Sequence, residues 1–310
     1  MEFDVVVPGA NHTPGRYDWA HSLDADGFRQ IFATADELGY RSVSVSEHLA
    51  MPRGEVPRLG GYWQDALAVM AFAAAATRRV RLDFCVLVLP YHHPLRLAKT
   101  LATIDVLSGG RVDVSVGVGH AEQEFAALGV PFAERGALTD EILQALDTLW
   151  THEWPEHRGR YFEIAGLAVE PRPLQKPRPP IYVGGNSKPA LRRAARHEGW
   201  QPNPVGFTVA ELPPLLDYLR AQPEFAGKAE TFDLNWLFAP SGVHLDEGFA
   251  HAGAARLRAY RDRLVDAYAG SYRPVGITRT VAEPPRALRS LEEYLDFLRW
   301  FDAEVATALR

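Results

Sequence analysis

Short apolar runs, each followed by a helix-patterned segment, recur along the chain, and this alternation constrains the fold more than any other feature. Phe3–Val7, Ser42–Ser46, Val80–Leu89 and Val112–Val116 read as strands. Between the first two, Asp24–Leu38 carries apolar residues at Phe28, Ile31, Phe32, Ala35 and Leu38 and then meets Gly39. That is the spacing and the stop signal of a helix. Gln64–Thr77 is a second helix. Pro94–Leu107 is a third, opening on proline and closing at Ser108-Gly109-Gly110. Strands that read as apolar throughout, alternating with helices, imply a parallel sheet covered by helices. Periodicity leaves an open doubly wound sheet and a closed barrel both available.

Further along, Leu138–Trp150 is a helix, and residues 151–179 are irregular and proline-rich, as suits an insertion loop across one face. Ile181–Val183 is a strand, Pro189–His197 a helix, and Trp200-Gln201 a short sixth strand. Val209–Ala221 reads as a helix, Thr231–Phe238 as a strand, and His244–Tyr268 and Leu291–Phe301 as helices. No eighth strand stands out, and Arg273–Leu288 shows no clear pattern.

The 310 residues suit one barrel-sized unit, so residues 1–310 are expected to form a single domain. A net charge of −6 speaks against a nucleic-acid binder, which needs a basic face. No apolar run reaches the roughly 18 residues of a membrane span, and no membrane association is expected. Met1-Glu2-Phe3-Asp4 starts acidic and enters a strand at once, unlike a signal peptide. The single cysteine, Cys85, excludes an internal disulfide and a cysteine-cluster metal site. Its apolar neighbours favour a small buried hydrophobe over a reactive thiol. A cytoplasmic location is expected.

Functional groups of a barrel collect at the C-terminal ends of its strands. Strand two ends in Ser46-Glu47-His48, strand three in Leu89-Pro90-Tyr91-His92-His93, strand four in Gly117-Val118-Gly119-His120 and strand five in Gly184-Gly185-Asn186-Ser187. Glu47-His48 is a candidate acid/base pair, since histidine titrates near neutrality. The alternative is a histidine satisfied by loop carbonyls. Gly184 to Ser187 precede a helix start, where backbone N–H groups bind phosphate and glycine permits close approach. Equally, Ser187 serves there as a helix cap. Gly117 and Gly119 resemble part of a dinucleotide loop that lacks its third glycine, a weak signal alone. Adjacent histidines at a strand end point apart, so His92 and His93 do not suggest a metal site, and His93 before Pro94 suits a helix cap. Tyr62 and Trp63 offer an aromatic wall over a ring system or, alternatively, core aromatics; with Tyr91 they are the expected substrate pocket.

Longer stretches carry a resemblance. Val80-Arg81-Leu82 through Val86-Leu87-Val88-Leu89-Pro90, His93 to Lys99, Asp105 to Arg111, Gly117-Val118-Gly119, Glu122 to Phe125, Leu128 to Phe132 and Arg135-Gly136 are similar to the luciferase-like monooxygenase family. So are Glu170 to Pro173, Gln175-Lys176-Pro177 and Pro179 to Ser187. The match runs collinearly to about residue 205 and weakens beyond it.

The resemblance implies a (β/α)8, TIM-like barrel holding FMN or the deazaflavin coenzyme F-420. It implies a ring packed on a bulge of the third strand near Cys85-Val86-Leu87, often with a non-prolyl cis peptide. Phosphate is expected near Gly184 to Ser187, with help from the Gly117–Gly119 turn, and the pair Glu47-His48 close to the ring. His120 departs from the tryptophan common at its position in relatives. The expected activity is an F-420-dependent hydride transfer to or from a small organic substrate, with His48 handling the proton. An FMN-dependent monooxygenase using O2 is the alternative, and a non-catalytic flavin-binding subunit is a third reading. A homodimer is expected.

Overall fold

The computed structural model describes residues 1–245 and 248–310. Among them, eight parallel strands close into a barrel. They are β1 (Glu2–Val6), β2 (Ser42–Val45), β3 (Arg81–Phe84), β4 (Val112–Gly117), β5 (Ile181–Gly184), β6 (Gly199–Gln201), β7 (Asp233–Trp236) and β8 (Arg279–Val281), paired in chain order. Glu2 lies opposite Arg279 where β8 meets β1, and Ile181 opposite Val114 where β5 meets β4. Those two junctions leave no sheet edge, and the open doubly wound alternative falls.

Helices α1 (Ala25–Leu38), α2 (Ala66–Ala76), α3 (Pro94–Ser108), α4 (Arg135–Thr151), α5 (Lys188–Ala194), α6 (Leu212–Arg220), α7 (Ala254–Ala267) and α8 (Leu291–Phe301) cover the outside. Local chemistry sets their ends. Asp24 accepts the Gly27 N–H at 2.9 Å to start α1, and Gly39 takes φ +76° to end it. His93 caps α3 by accepting from Leu95 N–H at 3.2 Å, as its place before Pro94 suggested.

The structure departs from the sequence reading at several points. The strands are not apolar throughout: they alternate. Val43 and Val45 belong to the apolar core while Ser42 and Ser44 between them are buried polar residues, and β4 alternates likewise through Val112, Asp113, Val114 and Ser115. The apolar set packs on the helices. The polar set points into the lumen, because Asp4 of β1 and Asp83 of β3 share Arg279 although β2 separates their strands.

The third strand is not one run. It breaks after Phe84 and resumes at Leu87–Val88, with a cis peptide between Cys85 and Val86. The eighth strand lies inside the unpatterned stretch 273–288. It is three residues long and opens on a buried arginine, which is why no apolar run marked it. The helix expected from His244 starts only at Ala254, after Gly253; residues 246 and 247 of that expected span lie outside the described residues. The insertion at 151–179 carries a small hairpin, His157–Arg158 with Glu163–Ile164, fastened to α4 where Glu141 accepts N–H groups of Arg160, Tyr161 and Phe162 at 2.8 to 3.1 Å.

Arg279 is fully buried and donates to Asp4 at 3.0 Å and to Asp83 at 2.8 Å, and Ser115 donates to the other Asp83 oxygen at 2.7 Å. Losing one partner of a buried ion pair strands the other charge at a cost of about 3–5 kcal/mol. Arg279→Met is therefore expected to lower the unfolding free energy by that amount, read as a lower urea midpoint at an unchanged slope; a midpoint close to the parent's would show that the lumen does not depend on this guanidinium.

Candidate functional site

Three of the strand ends picked out from the sequence meet in whole or in part, while Leu89 to His93 after the third strand stay off the cavity. Segments after β2 (Ser46-Glu47-His48), β3 (Cys85, Val86, Val88), β4 (Gly117 to His120) and β5 (Gly184-Gly185) line one open cavity of about 400 Å³ together with Trp63. Its remaining wall comes from Gln201 to Pro204 after β6 and Leu237 after β7, none of them expected from the sequence. The volume lies within the ordinary range for a small-molecule site.

Glycine shapes the floor. A Cβ on Gly117 would sit 2.6 Å from Val86 Cγ2, and one on Gly184 would sit 3.1 Å from both Val86 Cγ1 and the Val116 carbonyl oxygen. These two glycines make room for the Val86 side chain beside the broken strand, a packing duty that comes before any ligand. Gly119 adopts φ +78° and admits Val88 and Phe125 against its backbone. Gly185, at φ +103°, is tied to β6: its N–H donates to the Gln201 carbonyl at 3.1 Å and its carbonyl accepts from Trp200 Nε1 at 2.8 Å.

Two carboxylates hold the mouth together. Glu47 is buried and does not pair with His48, contrary to expectation. It accepts Val88 N–H at 2.7 Å and meets His92 Nε2 at 2.8 Å, fixing the chain beyond the β3 break. The partner of His48 is Glu124, 2.7 Å from Nδ1, which also accepts the Leu49 and Ala50 N–H groups and the Tyr91 hydroxyl. Burial alone would push the Glu124 carboxyl up, but the bonds from His48 and from the two N–H groups outweigh it and hold it below the usual carboxylate range. With Nδ1 donating to that carboxylate, Nε2 is the lone-pair nitrogen of the neutral ring.

The His48 ring meets Trp63 edge-on at 4.6 Å and His120 at 5.3 Å. Burial, and then the neighbouring His48, lower the pKa of His120, so this second imidazole resists protonation. Burial pushes the Cys85 thiol up to about 11, which keeps it neutral, in line with its reading as a small hydrophobe.

Other sequence candidates stand behind the wall. Leu87 is fully buried in the core and does not reach the cavity. Tyr91 serves through its hydroxyl bond to Glu124 and its edge contact with Phe125. Tyr62 accepts from Gln64 Nε2 at 2.8 Å and packs edge-on against His21. Asn186 spends both ends of its amide on the Asn203 backbone, at 2.8 Å each, and Ser187 is exposed and caps α5. Glu124 was missed as an acid/base partner because the residue adjacent to His48 in sequence is also a glutamate; only the fold selects between them.

A protein-family model for luciferase-like monooxygenases matches residues 1–303. The chain belongs to this family. An uncharacterized protein of Mycobacterium tuberculosis is 32% identical over 239 residues, covering 77% of this chain and 79% of that one. The FMNH(2)-dependent dimethylsulfone monooxygenase of Pseudomonas putida is 33% identical over 69% of this chain and 58% of its own length. In fold, the coenzyme F420-dependent tetrahydromethanopterin reductase of Methanopyrus kandleri superposes with a TM-score of 0.72 at 16% identity, over 100% of this chain and 99% of that one. No described helix is long and apolar enough to cross a membrane.

The lowered carboxyl of Glu124 stabilises the fold above the ordinary glutamate pKa, and this contribution is lost as pH falls through the lower folded value. Glu124→Gln is expected to be less stable than the parent at pH 7 by about 1–3 kcal/mol, because buried donors lose a charged acceptor. The gap should narrow as acid protonates the parent's carboxyl. A gap constant from pH 7 into the acid range would show that the charge of this group does not matter to the mouth.

Proposed function

We propose that the protein is an oxidoreductase that seats a tricyclic flavin-type ring over the Cys85–Val86 segment, with coenzyme F-420 as the cofactor and a small organic molecule as the substrate. The His48–Glu124 pair carries this reading: it fixes the imidazole through its Nδ1 at the wall of the 400 Å³ cavity. The residues present fit such a ring. Gly117 and Gly184 place no side chain on the floor, Trp63 supplies an aromatic wall, and the thiol of Cys85 beneath is neutral.

When bound, the deazaflavin supplies C5 as a hydride carrier. The chain's part is to hold the ring flat and to manage a proton. His48 Nε2 accepts or returns a proton at the cavity wall, and Glu124 steadies the imidazolium while the charge lasts. Glu47 keeps the Val88 segment in place by accepting its N–H. His120, whose pKa is lowered by burial and then by His48, favours its neutral form beside that ring. FMN presents a similar ring and phosphate, and the 33% identical Pseudomonas putida relative, named for FMNH(2), favours it as the second reading: an O2-using monooxygenase.

Titration of the protein with F-420 and with FMN, oxidised and reduced, followed by fluorescence, tests the reading. Tighter binding of F-420 supports the deazaflavin, the reverse order makes the enzyme FMN-dependent, and binding of neither overturns the proposal. His48→Ala is expected to keep the cofactor affinity and to lower turnover by about a hundredfold or more, the usual contribution of general acid–base catalysis. Unchanged turnover would remove the histidine from the chemistry.

A further inference from the structure

A second compartment of about 190 Å³ adjoins the mouth cavity, and Ser46, Cys85 and Leu237 line both. Its apolar wall comes from Val6 at the end of β1 and Val7 beyond it, Leu237 and Phe238 after β7, and Val281 and Ala282 at the end of β8. An apolar cavity of about 150 Å³ is large enough to take benzene. This compartment therefore suits one small ring or a short chain.

The charged residues on its lining are Arg16 and Glu283, and they face each other at 2.8 Å. The second Glu283 oxygen accepts Ala239 N–H at 2.9 Å, so the carboxylate is held from two sides. Next to Arg16, the Tyr17 hydroxyl donates to the Pro284 carbonyl at 2.7 Å, and the Tyr17 backbone adopts φ +54°, unusual for a bulky residue. These bonds tie together the loops after β1, β7 and β8. Outside them lies a larger basin of about 410 Å³ that shares Arg16, Phe238, Glu283 and Pro284 with the inner compartment. The ion pair thus stands where the two spaces meet.

We propose that the inner compartment is the substrate chamber, that it takes a small, uncharged and mostly apolar molecule, and that the Arg16–Glu283 pair sets this preference. The identification as a substrate site rests on the oxidoreductase reading above; the preference for neutral ligands rests on the lining alone. An anion that sought Arg16 would compete with a carboxylate already anchored to Ala239 N–H. A cation would find Glu283 already neutralised. Either ion gives up water for a partner that is taken, whereas a neutral molecule gains apolar burial and leaves the pair intact. Asn11 and Thr13, also on the lining, supply polar contacts for one carbonyl or hydroxyl group.

Isothermal titration calorimetry with cyclohexanone, cyclohexanecarboxylate and cyclohexylammonium tests this on the full chain, alone and saturated with whichever of F-420 or FMN it binds. Cyclohexanone is expected to bind about tenfold tighter than either ion, which must compete with an existing pair. Val6→Phe, which fills the chamber, should remove ketone binding, and Arg16→Gln, which frees Glu283, should strengthen ammonium binding. Absence of ketone binding, ions that bind as tightly as the ketone, or ketone binding unaltered by Val6→Phe would each overturn the proposal. Should Val6→Phe fail to fold, the comparison of the three ligands on the parent still decides. A protein that prefers the ketone but binds neither cofactor would sink the oxidoreductase reading and leave the neutral chamber standing. One that binds a cofactor but not the ketone would do the opposite.

Discussion

A guanidinium inside the barrel sets the geometry that the rest of the molecule inherits. Arg279 on β8 reaches Asp4 on the adjoining β1 and Asp83 on β3, so it binds strands that come together only because the sheet is closed. Nearer the strand starts, Arg41 and Arg81 share the two oxygens of Asp113, at 2.8 and 2.7 Å. Buried ion pairs of this kind add little net stability over an apolar core of the same shape. What they do is penalise any register that leaves a partner unpaired. A one-residue slip of β8 would turn Arg279 outward onto the helices and expose two carboxylates to an apolar interior.

The mouth is cross-braced in the same manner, with carboxylates answering backbone N–H groups of other loops. Glu47 leaves the loop after β2 to hold the chain beyond β3, while Glu124 on the helical turn after β4 holds the loop after β2. Each loop thus fixes its neighbour, and the imidazole ring of His48 is positioned by a residue 76 places away in sequence. Preorganisation of that kind holds a side chain at a cavity wall without requiring motion when a ligand arrives.

The parts of this design that were legible in the sequence are those written locally. The β/α alternation, the cap at His93, the stop at Gly39, and the gathering of several strand ends at one mouth follow from periodicity, cap chemistry and the rule that barrel loops carry function. What escaped was long-range. Reading β2 and β4 as simply apolar overlooked the buried serines and aspartates at every second position, of which Asp113 and Ser115 find their partners on other segments of the chain. The same blindness hid β8, where the arginine that closes the barrel broke the apolar run used to find strands. Glu47 was favoured over Glu124 because it adjoins His48 in sequence and the resemblance places that pair near the ring. Gly117 and Gly184 were read as phosphate contacts, and the structure adds a prior reason for them: the room that Val86 occupies.

Cys85 shows how these levels meet. Its N–H donates to the Val45 carbonyl at 2.7 Å, so the chain is still strand-like there, and the break follows at once. The side chain lands on the wall shared by the imidazole-bearing mouth and the apolar compartment beyond it. A bulky residue at that place would fill space that both cavities share, and a charged one would stand there without a partner. A thiol held neutral by burial does neither, and the Ser46 hydroxyl, 3.6 Å from its sulfur, lies in hydrogen-bond contact with it. The residue that composition marks as unremarkable therefore occupies the position where the two halves of the site touch, and its chemical quietness is what that position requires.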